Sequence, residues 1–303
     1  MSKYIFRDED LSSLIMYRDV SVKKCIACGG GVQEDFSNSE DFPAKRCVSC
    51  GLIWMQPSFN EEGLNLYYSN YIGKRRINNQ EKMQQRQEQY KLDTDFIQKY
   101  ISHGVMLDIG CNGGFFLNSF SDDFNKNGIE IDKSAVDFCN ENFDNLSGKV
   151  HCVNLQDYYS AIKCVQGGYD LITMRGVIEH VTDPVKDIEM VSNLLNPKGI
   201  FAVSATPNAD SVSVDLYQDN WTLFHPIQHL WHFSPKTLSL ICRKYGLELI
   251  ACDLPYLGTP YEDVYEDIKH IADRIENKEK CIEDLSISPA FFGNMMSLIF
   301  KKI

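Results

Sequence analysis

Residues 105–117 read VMLDIGCNGGFFL. An apolar run enters Asp108, the chain passes Gly110, Gly113 and Gly114, and apolar residues resume. That order fits a strand, a tight turn and the start of a helix, with glycines that let the backbone approach a ligand closely. From about residue 103 the same texture repeats. VMLDIG (105–110), GIEI (128–131), VHCVNL (150–155), YDLITMRG (169–176) and GIFAVSATPN (199–208) read as strands. Segments of helical periodicity such as DPVKDIEMVSNLL separate most of them. Alternation of this kind predicts a parallel sheet covered by helices on both faces. LELIACDL (247–254) and MMSLIFKKI (295–303) read as two further strands. The acidic stretch between them puts Val264, Ile268, Ile271 and Ile275 on one helical face, which reads as a helix packed on the core.

The part before residue 70 is different. It is rich in turn formers and carries CIAC at 25–28 and CVSCGL at 47–52. Two C-x2-C knuckles separated by eighteen residues can arrange four thiolates around one ion. Thiolates are soft and select zinc, so Cys25, Cys28, Cys47 and Cys50 are predicted to hold a structural zinc with no open position for substrate. Cys111, Cys139, Cys152, Cys164, Cys242, Cys252 and Cys281 lie among apolar neighbours and read mostly as small core residues. An odd total of eleven, behind an N-terminus without an apolar leader, argues against a disulfide framework. The same N-terminus and the absence of a span-length apolar run lead us to expect a cytoplasmic protein. Between the module and the alternating region, the polar stretch starting at Arg75 reads as a helix. The expected organisation is a zinc-binding module (1–70), a helical linker (71–102), a ligand-binding core (103–255) and a C-terminal helix and last strand (256–303).

Three ligands compete for the glycine turn. A P-loop ends in Gly-Lys-Ser/Thr, and here Gly-Gly-Phe-Phe stands instead. A dinucleotide turn needs G-x-G-x-x-G, and here the glycines fall as G-x-x-G-G. S-adenosylmethionine (SAM) has no phosphate, and its ammonium and carboxylate call for backbone polar groups and an acid, a need that Asp108 can meet.

At this point the region from about 103 to 250 resembles the class I SAM-dependent methyltransferases. Their first motif corresponds to Asp108, Gly110, Asn112 and Gly114, with Asn112 in the place of the middle glycine. Asn tolerates the left-handed backbone better than most residues. The resemblance implies that Glu130, in GIEIDKSAV, holds the ribose hydroxyls, with Asp132 as second choice. It implies that Asn154 meets the adenine amino group, with Asp157 a weaker alternative, and that Leu155 lies against the ring. YDLITMRGVIEHVTDP resembles the strand-four motif, which ends in Glu-His, and HPIQHLWHFSPKTLSLICRKYGLELI resembles a segment of one subgroup. The implied fold is a Rossmann-like α/β sheet of seven mostly parallel strands, here behind a small zinc-ribbon-like module. A four-cysteine module ahead of such a domain resembles bacterial sugar methyltransferases, which implies a sugar or nucleotide-linked sugar acceptor.

The chemistry needs alignment of acceptor and methyl group and, for a hydroxyl or acidic C–H, a base. His180, at the mouth end of the fourth strand, and His229, which matches the subgroup's histidine, are the candidates. Gln228 stands before His229 where the subgroup often has Glu. His225, His229 and His232 together raise the question of a second metal, but Pro226 and Pro235 argue for a loop there. Trp221, Phe224 and Trp231 are either sugar-stacking faces or core, and the subgroup's arrangement implies that Tyr67, Tyr68 and Tyr71 reach over the pocket. Arg175 is placed to meet the SAM carboxylate or an anionic substrate group, unless it forms an ion pair.

A net charge of −12 argues against nucleic acid, with GKRR at 73–76 the only dense basic run. An RNA methyltransferase with a zinc module and a non-catalytic SAM-fold protein are the competing readings. The sequence leaves the oligomeric state open.

Overall fold

A computed structural model describes residues 15–39, 42–69, 80–162, 168–276 and 291–303, with the side chains of 65, 68, 69 and 80–83 left out. Tyr71, the GKRR run, Cys164 and Cys281 lie outside the described residues, as does the side chain of Tyr68.

The N-terminal module is built on three short antiparallel strands, β1 (Gln33–Ser37), β2 (Ala44–Cys47) and β3 (Ile53–Met55). Two helices follow, α1 (Glu61–Ser69) and α2 (Gln80–Ile97). Then comes the alternating part: β4 (Gly104–Ile109), α3 (Phe115–Asn118), β5 (Phe124–Glu130), α4 (Lys133–Asn142), β6 (Val150–Cys152) and α5 (Leu155–Ile162). It continues as β7 (Tyr169–Arg175), α6 (Pro184–Leu194), β8 (Leu195–Pro207) and α7 (Val212–Tyr217). The chain ends with β9 (Trp231–His232), α8 (Pro235–Lys244), β10 (Leu247–Asp253), α9 (Val264–Glu276) and β11 (Met295–Lys302).

Seven strands form one sheet in the order β10-β11-β8-β7-β4-β5-β6. The pairs from β6 to β8 are parallel, and β11 is antiparallel to both β8 and β10. This is the mostly parallel Rossmann-like sheet expected. The strand order reverses beside β4, so the carboxyl ends of β4, β5 and β7 open a crevice where ligands bind in such sheets.

Local sequence explains most boundaries. Asp183 caps α6 by accepting the Lys186 N–H at 3.0 Å, with Pro184 in the first turn. Ser234 and Thr237 form a capping box on α8, again with Pro in the first turn. β5 and β8 each start four residues before their apolar runs. In β5 the reason is Lys126, which is buried while its Nζ donates to the Phe120 carbonyl at 2.6 Å. β6 stops at Cys152 because Asn154 turns the chain into α5. The expected face of α9 holds in part: Val264 and Ile271 pack against the core, whereas Ile268 and Ile275 are more than half exposed, and the buried residue is Asp267, which accepts the Tyr256 hydroxyl at 2.6 Å.

The module does not stand apart. β9, from far along the chain, pairs with β3 as the fourth strand of the module's sheet, with Ile53 opposite His232 and Trp54 opposite Trp231. One continuous core includes Phe36, Trp54, Phe224 and Phe233. Among the described residues no helix is long and apolar enough to cross a membrane.

Candidate active site

The crevice holds a cavity of about 930 Å³. Its lining comes from the ends of β4, β5 and β7, from α2 and from the loop at 223–229. The sequence-named residues Asp108, Gly110, Asn112, Glu130, Asn154, Leu155, Arg175, His180 and His229 all line it. Gly114 does not. It caps α3 at φ 79° and faces Cys139 and Leu146, so it shapes the turn from behind.

The turn is held by backbone bonds to β5: Gly110 and Cys111 both donate to the Ile129 carbonyl, at 2.9 and 3.1 Å. Gly110 lies at φ 71°, and a Cβ there would stand 2.7 Å from a Val177 methyl. Asn112 is left-handed at φ 51°. Its side-chain oxygen accepts the Gly113 N–H at 2.8 Å, which explains an asparagine where a glycine is usual.

Two buried carboxylates flank this turn. Asp108 accepts the Thr173 hydroxyl at 2.6 Å from its register partner on β7. Burial pushes its carboxyl up to about 7, against the pull of Thr173 and Arg175. Glu130 accepts three backbone N–H groups: Asn112 at 2.9 Å, Ile131 at 2.7 Å and Asp132 at 3.0 Å. It therefore ties the glycine turn to the end of β5, and a carboxylate has about four acceptor positions, so about one remains for a ligand hydroxyl. Asp132, the second choice, is used as the cap of α4.

Asn154 is exposed and caps α5, with its side chain bonded to both the N–H and the carboxylate of Asp157. Arg175 has a partner within the protein. Its Nε donates to Asp93 at 2.7 Å, and the guanidinium lies 4.5 Å from the Tyr90 ring centre. Asp93 in turn accepts Gln89 at 2.9 Å. Arg86, Gln89, Tyr90 and Asp93 thus bring α2 into the cavity wall. Hydrophobic periodicity gives no sign of this, because the buried positions Gln89 and Asp93 are polar.

Four histidines meet near the loop at 223–229, and three of them, His180, His225 and His229, line the cavity. The ring of His229 lies 4.8 Å from that of His180, 5.0 Å from that of His225 and 5.9 Å from that of His232. His180 Nδ1 is 2.8 Å from the Gln228 carbonyl, and His229 Nδ1 is 2.9 Å from the Leu223 carbonyl. Burial, and then the neighbouring histidines, hold His229 well below the usual histidine range. Burial also lowers His225, and takes His232 to about 3. Glu179, part of the strand-four motif, is buried beside His180 and His229. Its carboxyl is pushed up to about 7 by burial, and it accepts the Thr206 hydroxyl at 3.1 Å. Trp221, Phe224 and Trp231 are core rather than cavity wall. Tyr67 reaches the site indirectly, as its hydroxyl accepts Gln228 at 2.6 Å.

Two side-chain groups among the described residues can hold a metal. Cys25, Cys28, Cys47 and Cys50 bring their sulfurs together, with Cys25–Cys50 at 3.5 Å and Cys28–Cys47 at 3.6 Å. Four sulfurs on one zinc at ~2.3 Å stand roughly 3.8 Å apart, so the donor set fits. The second group is Glu179, His180 and His229, not the three histidines 225, 229 and 232.

A family model described as a methyltransferase domain matches residues 70–251. The ubiquinone biosynthesis O-methyltransferase of Psychrobacter cryohalolentis is 28% identical over 107 residues, which are 33% of this chain and 39% of that protein. The chain thus spans about two fifths of the curated relative it matches. A solved Haloferax volcanii structure containing the Trm112 methyltransferase activator aligns over 73% of this chain and 92% of its own, with a TM-score of 0.53 and 13% identity, a likeness of fold. A SAM-dependent methyltransferase from Archaeoglobus fulgidus aligns over 71% of this chain and 94% of its own, with a TM-score of 0.48 and 18% identity.

Proposed function

Because the chain belongs to the family of methyltransferase domains, we propose that it transfers a methyl group from SAM to a hydroxyl-bearing small molecule, and that the acceptor is a sugar or nucleotide-linked sugar. The observation that carries the reading is one cavity with two unlike walls. Asp108, the left-handed turn and Glu130 form one wall, and His180, His229 and Glu179 form the other.

The residues present fit SAM. Asp108 is a buried acid that gains a charge partner from a cationic ligand, and Glu130 keeps an acceptor position for a ribose hydroxyl. Asn154 and Leu155 sit beside Glu130 on the adenine side of this reading. SAM, when bound, supplies a methyl carbon already activated by its sulfonium. The protein's task is then alignment and exclusion of water. His229 is held as the Nδ1–H tautomer by the Leu223 carbonyl, which leaves Nε2 to accept a proton from the acceptor. His180 is placed beside it for the same role. The four-cysteine module carries zinc in this reading and acts structurally.

The four-cysteine module ahead of the domain supports the sugar acceptor. The relative named as a ubiquinone biosynthesis O-methyltransferase favours a second acceptor class, a hydroxyl on a quinone precursor, which the same wall can serve. Calorimetry with SAM and with its demethylated product tests the first step. Binding by the wild type and a loss of roughly 10–100-fold in Glu130→Ala is expected, the size of a hydrogen bond to a charged group. No binding of either ligand by the wild type overturns the reading. A turnover screen of nucleotide sugars against catechol-type phenols then separates the acceptors.

A further inference from the structure

We propose that Glu179, His180 and His229 form a second metal site, which takes a divalent transition-metal ion in the acceptor wall of the cavity.

The donor atoms of the three side chains all lie within 4.8 Å of one another, and His180 Nε2 is 3.9 Å from Glu179 Oε1. Oxygen and nitrogen ligands at ~2.0–2.2 Å from one ion stand roughly 3–4.3 Å apart, so closure needs shifts of well under an ångström per side chain. Two imidazoles and one carboxylate suit zinc, cobalt, iron or manganese, and three protein ligands leave positions open to the cavity.

The surroundings are those of ligating side chains. A metal-bound histidine usually donates its other ring N–H to a carbonyl or carboxylate, which fixes tautomer and ring angle. Both rings meet that condition, His180 Nδ1 on Gln228 and His229 Nδ1 on Leu223. Glu179 is braced in the same way: Oε2 accepts Thr206, while Oε1 is the atom nearer His180. The two segments that carry the ligands are laced together, since the Glu179 carbonyl accepts Leu230 N at 2.9 Å and Trp231 N at 3.2 Å. Among the described residues no lysine or arginine forms an ion pair with Glu179, although its side chain is only 3% exposed. A buried carboxylate with no ion-pair partner is costly, and an ion between it and the two imidazoles offsets that cost.

The role of the ion rests on the methyl-transfer reading. It selects an acceptor with a hydroxyl or vicinal diol, whose oxygen completes the coordination and whose O–H becomes more acidic. With the ion bound, His180 and His229 serve as its ligands instead of as the base, so in the transfer the O–H bond breaks with its proton passing to solvent and the O–C bond forms. The S–C bond breaks with its electron pair left on sulfur.

The binding of the ion is testable without that reading. The full-length chain, stripped of metal, is titrated with Co²⁺ and followed by visible absorption and elemental analysis. The four-cysteine site gives an intense thiolate charge-transfer band. The expected result is a second equivalent that adds only weak d–d absorption, is lost in His229→Asn and in Glu179→Gln, and leaves the thiolate band intact. Thermal melts and SAM calorimetry on each variant report whether it folds. His180→Asn, which is partly exposed, serves where a buried variant fails. A wild-type chain that takes up Co²⁺ only with thiolate character, or folded variants that keep the second equivalent, overturns the proposal. SAM binding that survives such a result leaves the methyltransferase reading standing.

Discussion

Asp108 and Glu130 are both buried acids beside one turn, and their hydrogen bonds give them different work. Glu130 is satisfied by three backbone N–H groups, so it is part of the turn's framework. Asp108 has one hydroxyl donor and is pushed up to about 7. A carboxyl whose folded value lies above its unfolded value contributes stability that is complete below about pH 4 and is lost as pH rises through 7. The raised value corresponds to an upper bound of about 4 kcal/mol. The melting temperature of the ligand-free chain is therefore expected to fall between about pH 4 and 7 and to level off above that, and Asp108→Asn to flatten the fall. A cationic ligand favours the ionised form, so SAM affinity is expected to rise over the same interval in calorimetry, and to do so less in Asp108→Asn. If both profiles match the wild type in that variant, Asp108 is not the titrating group. At the turn itself, Gly110→Ala combines a left-handed backbone with a clash against Val177. A loss of about 1–3 kcal/mol in denaturant unfolding is expected, whereas Asn112→Gly keeps the geometry and is expected to keep SAM affinity within about threefold.

At the scale of elements, two contacts couple the site to segments that look peripheral in sequence. The helix α2 is locked to β7 by the Arg175–Asp93 pair, with Asp93 only 3% exposed. Breaking one side of such a pair costs about 3–5 kcal/mol when fully buried and less at the partial exposure of Arg175. Asp93→Asn is thus expected to lower stability by about 1–3 kcal/mol and to free Arg175 from α2. The second contact is β3 with β9. Ile53, Trp54 and Met55 are buried on both faces, and Met55 N donates to the Leu230 carbonyl at 3.0 Å, next to His229. A chain with Cys47→Ser is expected to lose acceptor turnover about tenfold or more through misplacement of His229. SAM affinity, set at the far wall, is expected to change little. Equal loss of both in steady-state kinetics and calorimetry means global unfolding instead.

For the whole molecule, the module is part of one core, since β9 completes its sheet and Phe36 packs on Phe224 at 5.5 Å. This is why a segment too short to bury a core of its own can shape an acceptor wall. The net charge of −12 belongs to this scale too. Binding of RNA at 150 mM salt, measured by anisotropy, is expected to be undetectable, and a steep salt slope would revive the RNA reading.

The strands, the cysteine knuckles and the glycine turn are local or periodic features, so the sequence alone determined them. An apolar run of strand length, a C-x2-C spacing and a left-handed Asn112 each carry their physics within a few residues. Glu130 was named from the resemblance, and it meets the glycine turn because the turn and the end of β5 belong to one βαβ unit. Tertiary structure alone decided that α2 walls the cavity, since Gln89 and Asp93 are buried polar residues that no hydrophobic period reveals. It also decided that Arg175 answers Asp93, 82 residues away, and that Glu179, His180 and His229 bring their donor atoms into one group. Such pairings depend on which elements the sheet order brings together, and long-range contacts of this kind leave no trace in the spacing of residues along the chain.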